Sequence, residues 1–147
     1  MNVIGTLNIS DLSHKYKVKR IIYSSTSSVY GLTDTLPTNE DQKFDCLNPY
    51  SQSKLMGEEI LKYYTKIHNL DTVIFRYFNV FGERSPVKGQ YAPVVGIFLN
   101  QYAQSKPLTV VGNGLRKRDF VHVYDIVNVN IKAMDHVANL NGQCTIS

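Results

Sequence analysis

Two short apolar runs stand on either side of a strong helix signal, and this arrangement restricts the fold more than any other feature of the chain. Arg20-Ile21-Ile22-Tyr23-Ser24-Ser25 and the run from Thr72 to Val80 lack regular polar alternation, so both read as strands buried on both faces. Between them, Asn48-Pro49 marks a helix start, since Asn accepts from free amides at an N-cap and Pro suits the first helical position. The helix is expected to run from Tyr50 to about His68, with Asn69 as a left-handed stop. Strand, helix and strand in this order form the crossover of a parallel sheet. The expected class is therefore α/β, a doubly wound parallel sheet in which Ile21–Ser25 and Val73–Asn79 pair in parallel.

The flanking segments are read the same way. Val3, Ile4, Leu7, Leu12 and Tyr16 recur roughly at helical spacing, so the opening is a helix. Leu32 to Asn48 is a polar loop. Gly57, inside the central helix, costs about 1 kcal/mol relative to Ala, which a close approach to the sheet would explain. Glu83 to Tyr91 is loop-like, and Pro93 to Ser105 is a helix with Val94, Val95, Phe98, Leu99 and Tyr102 as its apolar set. Leu108 to Val111 is read as a strand ended by Gly112-Asn113-Gly114, and Phe120 to Val123 as another. Asp125 can cap a last helix to about Ala138.

Parallel sheets bind ligands at the carboxyl ends of their strands. Ser24 to Ser28 lies at that end of the first strand and Asn79 at that end of the second, so both clusters face one crevice. The central helix opens with Tyr50-Ser51-Gln52-Ser53-Lys54. Residues four apart share a helix face, so the Lys54 charge would favour ionisation of the Tyr50 hydroxyl. A tyrosine brought from its ordinary pKa of about 10 towards neutrality can take a proton from an alcohol. The pair alone also fits an ordinary helix face.

The chain has 147 residues, 43% hydrophobic and 19% charged, enough for one domain with a core. No apolar run approaches the roughly 20 residues of a membrane span, and no signal-peptide core is present, so no membrane partner and a cytoplasmic location are expected. The net charge of +4 comes partly from the stretch Lys15 to Arg20 and from Arg116-Lys117-Arg118. No nucleic-acid motif accompanies it, and a diphosphate ligand suits these arginines better. Cys46 and Cys144 read as two reduced thiols, and the four histidines form no ligand pattern, so no metal is expected.

Four segments then occur in order: Tyr23-Ser24-Ser25-Thr26-Ser27-Ser28-Val29-Tyr30-Gly31, the Tyr50–Lys54 segment, Arg76-Tyr77-Phe78-Asn79-Val80-Phe81-Gly82, and Arg118-Asp119-Phe120-Val121-His122-Val123-Tyr124-Asp125. From Asn2 to about Ala138 the chain resembles the extended short-chain dehydrogenase/reductase family, specifically its NAD-dependent sugar-nucleotide epimerases and dehydratases, of the UDP-glucose 4-epimerase kind. The resemblance implies that residues 1–82 are the C-terminal half of a Rossmann-like NAD-binding domain. Residues 83–147 would be part of a smaller α/β sugar-nucleotide-binding region. It makes Tyr50 the general acid/base, with Lys54 lowering its pKa and reaching the nicotinamide ribose. Thr26 would bond the reacting sugar hydroxyl, although a strand-end hydroxyl also commonly serves the local backbone. Ser24, Tyr77 and Phe78 would line the cofactor pocket, and Asn79 would meet the diphosphate. Arg118 would clamp the phosphates, with Arg116 and Lys117 as solvated neighbours. Thr109 and Val111 would lie in a strand that packs on the nucleotide base or forms a bare edge, and Gln90 to Val94 would line the sugar side.

The implied reaction is C4 epimerisation of a UDP-sugar through a 4-keto sugar, with NAD held through the cycle. Family 4,6-dehydratases carry an Asp-Glu pair directly after the catalytic threonine. Ser27-Ser28 stands there instead and lacks a comparable acid and base, which argues against dehydration. Ser28 argues more weakly against decarboxylation. A related decarboxylase or reductase stays open, as does a non-catalytic remnant that binds only a nucleotide or a partner. The complete enzyme would be a homodimer. No Gly-rich turn of the kind that holds a dinucleotide pyrophosphate occurs early in the chain, and Asn2-Val3-Ile4-Gly5-Thr6 resembles a helix near the middle of the family's cofactor domain. The isolated chain is therefore expected to be an inactive fragment, and because the Ile21 strand has the Val73 strand on one edge and no obvious partner on the other, to be marginal, aggregation-prone or dependent on self-association. Calorimetric titration of the folded chain with NAD is expected to give no micromolar dissociation constant; one in that range would mean a complete cofactor site.

Overall fold

The computed structural model describes residues 2–32, 37–87, 89 and 92–146. Helix α1 (Asn2–Lys15) leads into strand β1 (Arg20–Thr26), and helix α2 (Pro49–His68) carries the chain across to β2 (Asp71–Tyr77). Then follow β3 (Asn79–Phe81), α3 (Val94–Ala103), β4 (Phe120–His122), α4 (Val123–Asp135) and β5 (Gly142–Ile146).

β1 and β2 pair in parallel, with Ile21 opposite Thr72 and Thr26 opposite Tyr77. The Asn48 side chain accepts from the Ser51 amide at the start of α2, and Asn69 closes the helix in the left-handed region at φ 52. Both ends therefore lie where the sequence predicts them. The main sheet has the order β1-β2-β5. β5 has no clear signal in the sequence. Gly142 to Ile146 is short and mixed, and becomes a strand by adding in parallel to the free edge of β2. The sheet thus draws its third strand from beyond residue 83.

β2 is the central strand, with Asp71 to Arg76 buried throughout. β1 is mostly half-buried, against the expectation of burial on both faces. It lies at the sheet's edge, and its side towards α1 borders a cavity of about 340 Å³ lined by Asn2, Ile9, Ile21 and Leu61 among others. Two further expectations are corrected. Asn79 does not continue β2; it opens β3, which pairs with β4 in a separate two-stranded sheet, Asn79 opposite Phe120. The expected strand from Leu108 to Val111 does not form: no described strand pairs with it, and Val111 stands 79% exposed.

α1 packs on α2 with its small polar side. Ser10 and Ser13 are buried, while Ile4, Ile9, Leu12 and Tyr16 face outward. Small side chains let the two helices approach closely. The buried Ser10 hydroxyl donates to the Thr6 carbonyl at 2.8 Å, so it is not left unpaired. On the other face of the sheet, Val73, Phe75 and Ala133 form a core with Ile22, Val129 and Ile146, so α4 packs opposite α2.

Two ionic clamps hold these layers. At the amino ends of the strands, Arg20 pairs with Asp71 and donates to carbonyls that follow α4, at 3.0 Å for His136 and 2.6 Å for Ala138. Asp71 also accepts the amides of Leu140 and Asn141, both at 3.1 Å. At the carboxyl ends, Arg76 and Glu58 are both fully buried and pair at 2.6 Å. Arg76 donates also to the Tyr30 hydroxyl at 2.8 Å, the Glu40 carbonyl at 3.3 Å and the Gln143 side chain. Ser25 donates to Glu58. Burial by itself would lower the Arg76 pKa, but the bonds and charge of Glu58 and Tyr30 carry it above its ordinary value.

Arg20→Ala should therefore lower unfolding stability by about 3 kcal/mol, because it leaves the buried Asp71 carboxylate without its cation; a urea midpoint within error of wild type would refute the clamp. The second prediction concerns acid. The Thr145 amide donates to Glu40 at 2.6 Å and holds that carboxyl below its usual range. A depressed folded pKa contributes stability above the unfolded value, about 4.3 for glutamate, and that contribution disappears as pH falls through the folded value. Glu40→Gln should flatten the loss of stability in that acid window, as read from thermal melts at stepped pH.

Candidate active site

Parallel pairing brings the carboxyl ends of β1, β2 and β5 to one edge, where Thr26, Tyr77 and Ile146 lie side by side. After Thr26 the chain turns through a single 3₁₀ turn, Ser27 to Tyr30, capped by the Thr26 hydroxyl, which accepts from the Ser28 amide at 3.2 Å. The same hydroxyl donates to Ser28 Oγ at 3.1 Å. The local-backbone alternative for Thr26 is thus realised at the end of β1. The turn ends at Gly31 with φ 61, where a Cβ would stand 2.1 Å from the Asp45 carbonyl oxygen, so only glycine fits.

α2 begins close to this edge. Tyr50 lies in its first turn, 52% exposed, and its hydroxyl has no hydrogen bond among the described residues. Lys54, one turn on, is half-buried and donates from Nζ to the Ser24 carbonyl at 2.9 Å. Burial moves the Lys54 pKa below its ordinary value. Its ammonium also lies 4.9 Å from the centroid of the Tyr23 ring. An ammonium has three donors, and among the described residues only the Ser24 carbonyl takes one. A free phenol and a partly free ammonium on one helical turn suit a ligand rich in hydroxyls, such as a ribose or a sugar.

The other candidates are more scattered. The Tyr77 hydroxyl accepts from Asn130 Nδ2 at 2.7 Å, and its ring stacks on Phe75, so this side chain faces α4. Phe78, between the two sheets, is half-buried and its amide donates to the Ile146 carbonyl at 2.9 Å. Asn79 donates to the Asp119 carbonyl at 2.7 Å, which brings the segment carrying Arg118 alongside β3. Arg118 is exposed and donates to the Lys117 carbonyl at 3.0 Å. Thr109 is tied to Gln101 of α3 at 2.7 Å, away from any strand. Val94 is 41% exposed at the start of α3. Gln90 and Tyr91 lie outside the described residues. The structure thus joins Lys54 to the Ser24 carbonyl, two residues before Thr26 on the same strand, with Tyr50 a turn before Lys54, and leaves Val94, Thr109, Val111 and Arg118 on exposed surface.

Sequence reasoning assigned no role to Tyr23, Glu58 or Arg76. Signals existed for two of them. Arg76 is a lone charge within a buried run, and Glu58 follows Lys54 by four residues, on the same helix face. Among the described residues no group of three or more histidine, cysteine, aspartate or glutamate side chains could hold a metal, and no helix is long and apolar enough to cross a membrane.

Comparison with known proteins places the sequence and the fold. The profile of the NAD dependent epimerase/dehydratase family matches residues 1–146. The UDP-glucose 4-epimerase of Bacillus subtilis is 34% identical over 96% of this chain and 46% of its own length. The UDP-N-acetylglucosamine 4-epimerase of Methanobrevibacter ruminantium, solved with UDP-N-acetylmuramic acid, superposes with a TM-score of 0.93 at 31% identity, covering 99% of this chain and 46% of that one. The UDP-glucuronic acid 4-epimerase of Bacillus cereus, solved with UDP-glucuronic acid and NAD, gives 0.84 at 31% identity, covering 99% and 44%. The chain spans about half the length of the curated relatives it matches. A match along nearly its whole length, to a family whose described fold it shares, makes this chain a member of the NAD dependent epimerase/dehydratase family.

Proposed function

We propose that this chain carries the acid/base centre and the nicotinamide side of an NAD-dependent UDP-sugar 4-epimerase. The observation that carries the reading is the Tyr50–Lys54 turn of α2, with the Lys54 ammonium 2.9 Å from the Ser24 carbonyl beside Thr26. Its relatives in Bacillus subtilis and Bacillus cereus are named as UDP-sugar 4-epimerases, and the latter was solved with NAD.

Bound NAD would accept hydride from C4 of the sugar and return it. Tyr50 removes the proton of the C4 hydroxyl as the carbon is oxidised, and gives it back on reduction. Lys54 uses its unengaged donors on the ribose of the cofactor. Thr26 holds the reacting hydroxyl through the oxygen that now bonds Ser28. The 3₁₀ turn after Thr26 has Ser27 and Ser28 where a dehydratase would need an acid and a base, which supports epimerisation.

In this reading residues 1–82 serve the cofactor, and residues 83–147 serve the sugar nucleotide, apart from α4 and β5, which return to the first sheet. Tyr77 and Phe78 border the nicotinamide. Asn79 and Arg118 serve the diphosphate, joined through the Asn79–Asp119 bond. Val94, Thr109 and Val111 serve the sugar and base. The outward apolar stripe of Ile4, Ile9, Leu12 and Tyr16, with Tyr63 and Ile67 of α2, is the surface for a second copy. The setting is cytoplasmic.

The test is a panel of UDP-sugars offered to the sequence within a chain of its relatives' full length, with product epimers separated by chromatography. Interconversion of a C4 pair is expected. Tyr50→Phe should cut turnover by about 10²–10⁴-fold while nucleotide binding stays within a few-fold of wild type. Unchanged turnover in that variant would refute the assignment.

A further inference from the structure

Gly57 is the weak point of α2 as a helix, and its neighbour explains it. A Cβ there would lie 2.3 Å from the Tyr23 hydroxyl oxygen and 2.9 Å from the ring carbon that bears it. The glycine therefore makes room for an aromatic ring rather than for sheet backbone. The hydroxyl end of that ring reaches the Lys54 carbonyl at 3.5 Å, and the same Cβ would lie 3.3 Å from Thr6 Oγ1 of α1.

The face of the ring lies under Lys54, whose Nζ is 4.9 Å from the centroid. An ammonium at this distance from an aromatic face is attracted by the ring quadrupole, more so where water is partly excluded. The next residue of β1, Ser24, supplies the carbonyl that takes one ammonium proton at 2.9 Å. Adjacent residues of one strand thus grip one cation from two directions. The nearest carboxylate on the same helix face, Glu58, is already committed to Arg76 and Ser25. A lysine side chain is long and flexible, so a group that restrains it decides where its charge acts.

We propose that Tyr23 is a positioning residue: its ring holds the Lys54 ammonium at the tip of β1, with one donor on Ser24 and two left for ligand hydroxyls. Its functional meaning rests on the reading of Lys54 given above, but the placement is a property of this chain and is measured on it directly.

The experiment is NMR of the isotopically labelled chain, with the Lys54 side-chain signals assigned through Lys54→Arg. Ring currents should displace the Lys54 ε-methylene upfield of the other lysines, and its ammonium protons should be protected from exchange. Tyr23→Phe keeps the ring and should preserve both signatures. Tyr23→Leu removes it and should abolish both. Gly57→Ala leaves Tyr23 in place but displaces its ring, and should abolish the upfield shift. Lys54 signals unchanged between wild type and Tyr23→Leu overturn the proposal. If the leucine variant yields no folded spectrum, an undisplaced Lys54 in wild type or in Tyr23→Phe overturns it equally. A displaced, protected Lys54 together with normal turnover of Lys54→Met in the full-length form would retain the placement and remove the catalytic reading.

Discussion

The buried ion pair of Arg76 and Glu58 is the interaction on which the arrangement of this molecule depends. Arg76 presents five N–H donors, and the structure gives them Glu58, Tyr30, the Glu40 carbonyl and Gln143. Those partners come from α2, the 3₁₀ turn, the loop before α2, and β5. One guanidinium on the central strand therefore fixes the relative positions of four segments. A buried pair of this kind does not by itself imply high stability, since two apolar residues of similar volume often serve as well. What it adds here is directional. A guanidinium and a carboxylate satisfy each other in few geometries, so the helix has one register against the sheet.

That register matters because the candidate site is built across it. Lys54 and Tyr50 belong to the helix, whereas Ser24 and Thr26 belong to the strand. The lysine reaches the strand one turn before the Glu58 anchor, and Ser25, between Ser24 and Thr26, donates to that same anchor. A slide of α2 by one residue would rotate its side chains by about 100° and separate every one of these groups. The ionic network and the site are thus two turns of one helix–strand contact, the lower one dry and the upper one open to solvent.

The surfaces follow from a similar division. α1 buries Ser10 and Ser13 and exposes its aliphatics, because small side chains let it pack closely on α2. Its apolar stripe stands exposed. β1 likewise presents an outer edge and an open cavity towards α1. The most buried strand is β2, which lies between β1 and β5.

The sequence by itself determined the local elements whose signals are local. Asn48-Pro49 and Asn69 delimit α2, because capping is a contest among a few backbone groups close in the chain. The apolar runs define β1 and β2, and the crossover makes them parallel. The Tyr50–Lys54 spacing follows from the helical period, so the placing of both residues on one turn of α2 was legible too. Only the tertiary structure decided the rest. β5 is a strand because β2 has a free edge for it, and residues 107–111 are not, because no edge is offered to them. Asn79 left the first sheet for a partner forty residues on, at Asp119. Tyr23 became the floor under Lys54 because a glycine on another element left space for its ring. Each of these outcomes turns on which surface meets which, and a linear pattern of residue types holds no record of that.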